Sequence, residues 1–311
     1  MTNYYLGIDL GGTGVKIAVV NSNEKIVEHS GFPSSSPADP KKIVESIVHY
    51  SKKLKHYSKV KSIGIGVAGD IDQKRGIVRF SPNLGWRNVK FQDMLARYLK
   101  KKITIDNDAN VAALGAFWLE SRGKAKNMIC VTLGTGVGGG IVCDGKLYIG
   151  ATGSAGEIGH ITIEPNGPKC NCGNHGCIER YIGAPRLAEQ GRLAVTKGKS
   201  KIIAKLVGGD LSKINPEVLA KAAKMGDKQA KQIWETAGER LGIALADIIN
   251  LLNPEMIVLA GGVSQAGDLL IKPMKRAIFA RAYETPAKAC KIVISKFTQK
   301  LGVVGAAFLA K

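Results

Sequence analysis

The sequence predicts an α/β protein with mixed sheets, arranged as two similar lobes facing a cleft. Three observations carry that expectation. Short β-rich runs alternate with helical patterns along the whole chain, with no repeat array or low-complexity segment, and such alternation layers helices on sheets. The opening strand, glycine turn and strand of GIDLGGTGVKIAVV recur near the middle as CVTLGTGVGGGIVC, which suggests a duplicated core. The chain has 311 residues, more than a typical single domain, and can bury a sizeable core. The expected division puts residues 1–115, joined by a terminal helix at 301–311, in a small N-terminal lobe and residues 116–300 in a larger one.

Each element follows from its local pattern. YYLGIDL and VKIAVV are β-rich runs joined by a Gly-Gly-Thr-Gly turn, and KIVEHSG continues the meander. From Pro40 to Tyr57, residues Ile43, Ile47 and Leu54 share one helical face, so a helix is expected there, followed by SIGIGVA as a buried strand. After a loop containing SPNLGW come helix FQDMLARYL, strand KITID and helix NVAALGAFWLE. MICVTLGTGVGGGIVC reads as strand, turn and strand; residues 226–253 carry the longest helical pattern. Strand EMIVLAGG, a helix to about residue 282, strand KIVIS and the small-residue helix LGVVGAAFLA complete the chain.

Composition narrows the function classes. With 45% hydrophobic residues the chain reads as globular. No apolar run approaches the roughly 18 residues of a membrane span, and MTNYYLGIDL lacks the pattern of a signal peptide, so a cytoplasmic location without a membrane partner is expected. Thiols stay reduced there, and a tight group among the six cysteines points to metal rather than to disulfides. The net charge of +20 comes from lysines scattered in short groups, such as SKKLKHYSKVK and KGKSK, with no nucleic-acid motif around them. Solvated helix faces are the expected reading, and nucleic acid is not an expected partner. The charge nevertheless favours polyanionic ligands such as nucleotides.

Three sequence features carry chemistry. In the two glycine turns, backbone N–H groups can approach phosphate oxygens closely, and Thr13 or Thr135 can add a hydroxyl donor. Neither turn is a Walker loop or a dinucleotide fingerprint, since each leads into a strand, and an ordinary hairpin is the plain alternative for either alone. Asp9 ends the first strand and Lys16 lies beyond the turn, a setting suited to magnesium held through water. In IDNDANVAAL, Asp108 lies where a strand gives way to a helix. A helix cap is the plain reading, yet two acids and two asparagines exceed what one cap requires. Asp108 is placed to accept a proton from a substrate hydroxyl while Asn107 fixes another, as phosphoryl transfer to an alcohol requires. Finally, HITIEPNGPKCNCGNHGC offers Cys170, Cys172 and Cys177 with either His160 or His175 as a fourth ligand, the number a closed tetrahedral zinc site takes.

DLGGTGVK, SPNLGW, DNDAN, LGTGVGGG, GSAGEIGH, CNCGNHGCIE and LAGGVS, in this order and at these distances, resemble the sugar kinases of the ROK family, and within it the bacterial-type glucokinases. The resemblance covers nearly the whole chain. It implies a two-lobed actin-like ATPase of ribonuclease-H-like fold, usually a homodimer, that phosphorylates a hexose, glucose first, at the 6-hydroxyl with ATP and Mg2+. Asp108 would be the general base. Asn83, Asn107, Glu157, His160 and Glu179 would hydrogen-bond the sugar, and His160 would complete the zinc site with Cys170, Cys172 and Cys177. Gly11, Gly12, Thr13, Gly134, Thr135 and Gly136 would cradle phosphates, with Gly261 and Gly262 near the adenosine. Kinases of N-acetylmannosamine, N-acetylglucosamine or fructose share most of these motifs, and a non-catalytic sugar sensor is the reading from another class. The family's repressors carry a DNA-binding segment ahead of the sugar domain, whereas strand YYLGIDL begins at once here, so a repressor is not expected.

Overall fold

In the computed structural model, which describes residues 2–34 and 37–311, the chain begins with a meander. Strands β1 (Tyr4–Leu10), β2 (Gly14–Asn21) and β3 (Ile26–Pro33) are followed by helix α1 (Pro40–Lys52) and strand β4 (Val60–Val67). Three short strands come next, β5 (Asp70–Asp72), β6 (Ile77–Ser81) and β7 (Trp86–Val89), then α2 (Phe91–Leu99), β8 (Lys102–Asn107) and α3 (Asp108–Leu119). The second half contains β9 (Met128–Leu133), β10 (Val137–Cys143) and β11 (Lys146–Tyr148). Helices α4 (Glu179–Ile182), α5 (Ala184–Thr196), α6 (Lys201–Leu206), α7 (Pro216–Lys224) and α8 (Lys228–Leu252) precede strand β12 (Met256–Ala260). The chain closes with α9 (Asp268–Arg281), α10 (Glu284–Ala289), β13 (Lys291–Ile294) and α11 (Leu301–Leu309).

Among the described residues the strands form two five-stranded sheets, ordered β3-β2-β1-β4-β8 and β11-β10-β9-β12-β13, and a three-stranded sheet β5-β6-β7. The same order appears twice, so the duplicated core expected from the glycine motifs is present. In the first sheet β1 pairs antiparallel with β2 and parallel with β4, and β4 pairs parallel with β8. This is the mixed α/β, ribonuclease-H-like arrangement the sequence predicts. The residues cluster into two compact units, one of Met1–Cys130, Gly140–Gly156 and Phe297–Lys311, the other of Val131–Gly139 and Glu157–Lys296.

In the first unit the sheet is covered on both faces. Leu6, Ile8, Leu10, Ile17, Ile63 and Ile65 pack with Ile43 and Ile47 of α1 and with Phe91 and Leu95 of α2. Tyr5, Ala18 and Val20 meet Val303, Val304, Ala307 and Phe308 of α11. A strand buried on both faces reads as a continuous apolar run, which is why SIGIGV is buried at every position. Helix α11 lies directly on strand backbone. A Cβ on Gly7 would come 1.8 Å from Val303 O, one on Gly64 1.7 Å from Ala306 O, and one on Gly305 1.6 Å from Val111 O in α3. Small residues at these places are a condition of the packing, and LGVVGAAFLA carries them on the helix side.

Helix ends follow their caps. The Asp39 side chain accepts from Lys41 N, with Pro40 in the first turn of α1, a favourable start. The expected continuation to Tyr57 is not realised. After Lys52 the chain winds into turns, with Leu54 N donating to Ser51 O, and Leu54 reaches the core from the turn. Helix α8 is capped by Asp227 and ends at Asn253 in the left-handed region at φ 43°.

Gly305→Ala is expected to destabilise the protein by about 3 kcal/mol, the upper end for overpacking a tight contact, because the obstructing atoms are backbone. Urea denaturation checks this, and an unchanged midpoint would contradict the close seating of α11.

Candidate functional site

Strand β8 delivers Asn107 and Asp108 to its carboxyl end. Asn107 is the cap of α3: its Oδ1 accepts from Ala109 N at 2.8 Å and Asn110 N at 3.1 Å, while Nδ2 donates to Gly69 O at 2.9 Å. Asp108 is therefore the first helical residue and not the cap. Its half-buried carboxylate also accepts from Ala109 N at 2.9 Å and sits where the helix dipole favours negative charge. Asp106, the other acid of the motif, is buried at 3% exposure. Its Oδ1 accepts from Asn107 N at 2.6 Å, Asn110 Nδ2 at 2.9 Å and Gln73 Nε2 at 3.0 Å. Burial raises its pKa and these donors pull it back. The two acids and two asparagines thus divide into a cap, an internal anchor with its donor, and one carboxylate at the helix start.

In the same unit, the first glycine turn joins β1 to β2. Gly11 N donates to Gly14 O at 3.0 Å and Ser34 Oγ to Gly11 O at 2.9 Å, while Thr13 is exposed. Asn83 is exposed and lies over the turn, since a Cβ on Gly12 would come 3.0 Å from Asn83 Cβ. Asp9 is opposite Lys16 in the β1–β2 register. Its carboxylate lies against the first turn of α11, where a Cβ on Gly302 would come 2.4 Å from Asp9 Oδ2. Burial raises the Asp9 pKa and the nearby Lys16 charge lowers it. Lys16 Nζ donates to Gln299 Oε1 at 2.9 Å.

The second unit holds the other turn. Gly134 N donates to Gly136 O and Ala184 N to Gly134 O, each at 2.9 Å. Thr135 is exposed. Glu179, the first residue of α4, accepts from Val137 N at 2.9 Å, so one of its oxygens braces the turn. Gly261 follows β12 at φ 91°, where a Cβ would come 2.2 Å from Leu133 O, and Gly262 continues the bend with open space around it. Ser264 Oγ donates to Gly261 O at 2.7 Å. These glycines bring bare backbone to the ends of β9 and β12.

The histidine and cysteines also lie in this unit. The ligand atoms of His160, Cys170, Cys172 and Cys177 all fall within 4.8 Å of one another. His160 Nδ1 is 3.8 Å from Cys170 Sγ, and Cys172 Sγ is 3.7 Å from Cys177 Sγ. A tetrahedron with arms of about 2.3 Å has edges of about 3.8 Å, so the spacing fits zinc. His175 is exposed and outside the group, and His160 is the histidine that falls within it. The donor set supports the same conclusion. The Asn174 backbone N–H lowers the Cys172 pKa, whereas burial, reinforced by its cysteine neighbours, pushes Cys177 up to about 12. A cation bound among the three sulfurs would favour their deprotonated forms. His160 Nε2 faces away from the cysteines, 3.9 Å from Glu157 Oε2, and Glu157 is exposed.

Gln73 and Asp106 are site neighbours that motif reading did not single out. Asp106 was visible as the first acid of IDNDAN, but Gln73 lies in an ordinary turn with no signal to mark it.

The ROK family model matches residues 5–311. A glucokinase of Halalkalibacterium halodurans is 38% identical, over 99% of this chain and 95% of its own. A xylose repressor of Caldicellulosiruptor bescii is 31% identical, over 96% of this chain and 76% of its own. The crystal structure of a ROK family glucokinase from Streptomyces griseus in complex with glucose and AMPPNP matches with a TM-score of 0.84 and 31% identity, over 99% of both chains.

Purified protein is expected to carry about one zinc per chain, and Cys172→Ser to lose most of it, as measured by elemental analysis. Since ligand thiolates must stay deprotonated, metal should be released as pH falls. A Cys172→Ser protein with full zinc content would contradict the four-ligand site.

Proposed function

The chain belongs to the ROK family, and we propose from that premise that it is a hexokinase-type sugar kinase transferring the γ-phosphoryl group of ATP to the 6-hydroxyl of a hexose, glucose first. The observation that carries this reading is the presentation of Asp108. Its carboxylate stands at the start of α3, fixed by the Asn107 cap and partly open to solvent, while Asp106 is occupied internally. Near-full-length likeness to glucokinases supports it.

In this mechanism Asp108 accepts the 6-hydroxyl proton as that oxygen attacks the γ-phosphorus; the bond to the β,γ-bridging oxygen breaks and ADP departs. Asn83, Asn107, Glu157, His160 and Glu179 hydrogen-bond the remaining hydroxyls. Such a network discriminates among epimers, because a missing hydroxyl leaves polar groups unpaired. Backbone N–H groups of Gly11, Gly12, Gly134 and Gly136, with Thr13, Thr135 and Lys16, receive the phosphates, and Gly261 and Gly262 approach the adenosine. Asp9 would hold magnesium through water, and the ion would supply charge neutralisation on the phosphates. Cys170, Cys172, Cys177 and His160 Nδ1 would hold zinc, and His160 Nε2 would remain to address the sugar. The reading includes a homodimer in the cytoplasm, where reduced thiols can hold metal; no helix among the described residues is long and apolar enough to cross a membrane.

The repressor relative supports a second reading, a sugar sensor without turnover. ADP release from Mg-ATP across hexoses and N-acetylhexosamines separates the two. Turnover with glucose is expected; measurable sugar binding with no turnover on any acceptor would favour the sensor. Asp108→Asn should lower kcat by about 10²- to 10⁴-fold, the usual worth of a general base, while calorimetric hexose affinity stays within about threefold. Unimpaired turnover in that variant would remove Asp108 from its role.

A further inference from the structure

Gln73 lies in the turn between β5 and β6. Its Nε2 donates to Asp106 Oδ1 at 3.0 Å and also to Gly153 O at 3.1 Å. A primary amide carries two hydrogens, so both are committed, one to each partner. Asp106 is buried beneath the segment that holds Asn107 and Asp108, and it receives Asn107 N and Asn110 Nδ2 on the same oxygen. Gly153 belongs to the loop Gly150–Gly156, whose chain runs on into Glu157.

The same loop has a second, separate anchor. Arg79 of β6 binds Asp70 through Nε and Nη2, both at 2.8 Å, and Nη2 also donates to Thr152 O at 2.8 Å. Ser154 Oγ donates to Asp70 Oδ1 at 2.9 Å. Arg79, Asp70 and Ser154 thus hold the loop through contacts that do not involve Gln73. What Gln73 adds is the tie between that loop and Asp106.

We propose that Gln73 is a positioning residue for the transfer reaction: its amide ties the backbone that presents Asp108 to the loop that leads into Glu157. The inference rests on the kinase reading given above. Gln73 acts through Asp106 and Gly153. Its importance follows from geometry, since a base displaced by about 1 Å can lose about 10²-fold in rate.

The test compares Gln73→Met, which keeps volume but has no donor, with Gln73→Glu, which sets a carboxyl group against Asp106 and Gly153 O. For Gln73→Met we expect kcat to fall about tenfold and hexose KM to rise about fivefold, with ATP KM and thermal midpoint close to wild type. For Gln73→Glu the loss should be deeper at pH 8 and shrink relative to wild type as pH falls, because one shared proton restores a donor between two facing carboxyls. Wild-type protein silent on every sugar would overturn the kinase reading and this inference with it. Active wild type with Gln73→Met equal to it in kcat and hexose KM would overturn the inference alone. So would a loss of activity that only tracks a lowered thermal midpoint, with neither a KM change nor a pH-dependent difference between the two variants.

Discussion

The seat of α11 on the backbone of β1 and β4 is the constraint on which the first unit depends. At Gly7 and Gly64 the helix approaches closer than any side chain permits, and at Gly305 and Gly115 it meets α3 in the same way. Helix α3 begins with Asp108 and α11 begins beside Asp9. The last helix of the chain therefore sets the position of two carboxylates that are about 100 residues apart in sequence. Interiors packed this tightly transmit a displacement instead of absorbing it, so a methyl group on the far side of α11 would be felt at the helix start where the proposed base stands.

Three aspartates in this unit illustrate how environment divides one side chain among different tasks. Asp106 is buried and satisfied by three donors, so it is an anchor. Asp108, two residues later, stands at a helix start with access to solvent. Asp9 combines burial, which raises its pKa, with a lysine across the strand pair that lowers it. The three settings differ in what they leave the carboxylate to do: one is tied up internally, one stands at a helix start and one faces a lysine. The glycine turns contribute the complementary feature, backbone N–H groups without side chains in the way.

Much of this was legible in the sequence because the informative segments follow simple rules. Helix α2 coincides with FQDMLARYL, α8 with the long periodic stretch, and the two glycine turns with the strand pairs they join. The repeated strand order follows the repeated glycine motif. The helix beginning at Pro40 was expected to run too far because Leu54 continues the apolar face, yet a turn brings that side chain to the core just as well. The strands of the sheet β5-β6-β7 lie where the sequence shows only a loop, because they are short and their partners are set by tertiary contacts that periodicity does not encode. The grouping of His160, and not His175, with the three cysteines is likewise set by tertiary contacts, since His175 is the nearer in sequence. Gln73 was invisible because a single amide in a turn carries no pattern.

The orientation of His160 has a consequence for the state of its ring. With Nδ1 directed at the cysteines and Nε2 toward Glu157, metal on the first nitrogen leaves the ring proton on the second. A ring so placed can meet a metal ion on its cysteine side and still present an N–H on the other, a donor whose direction the fold has already set.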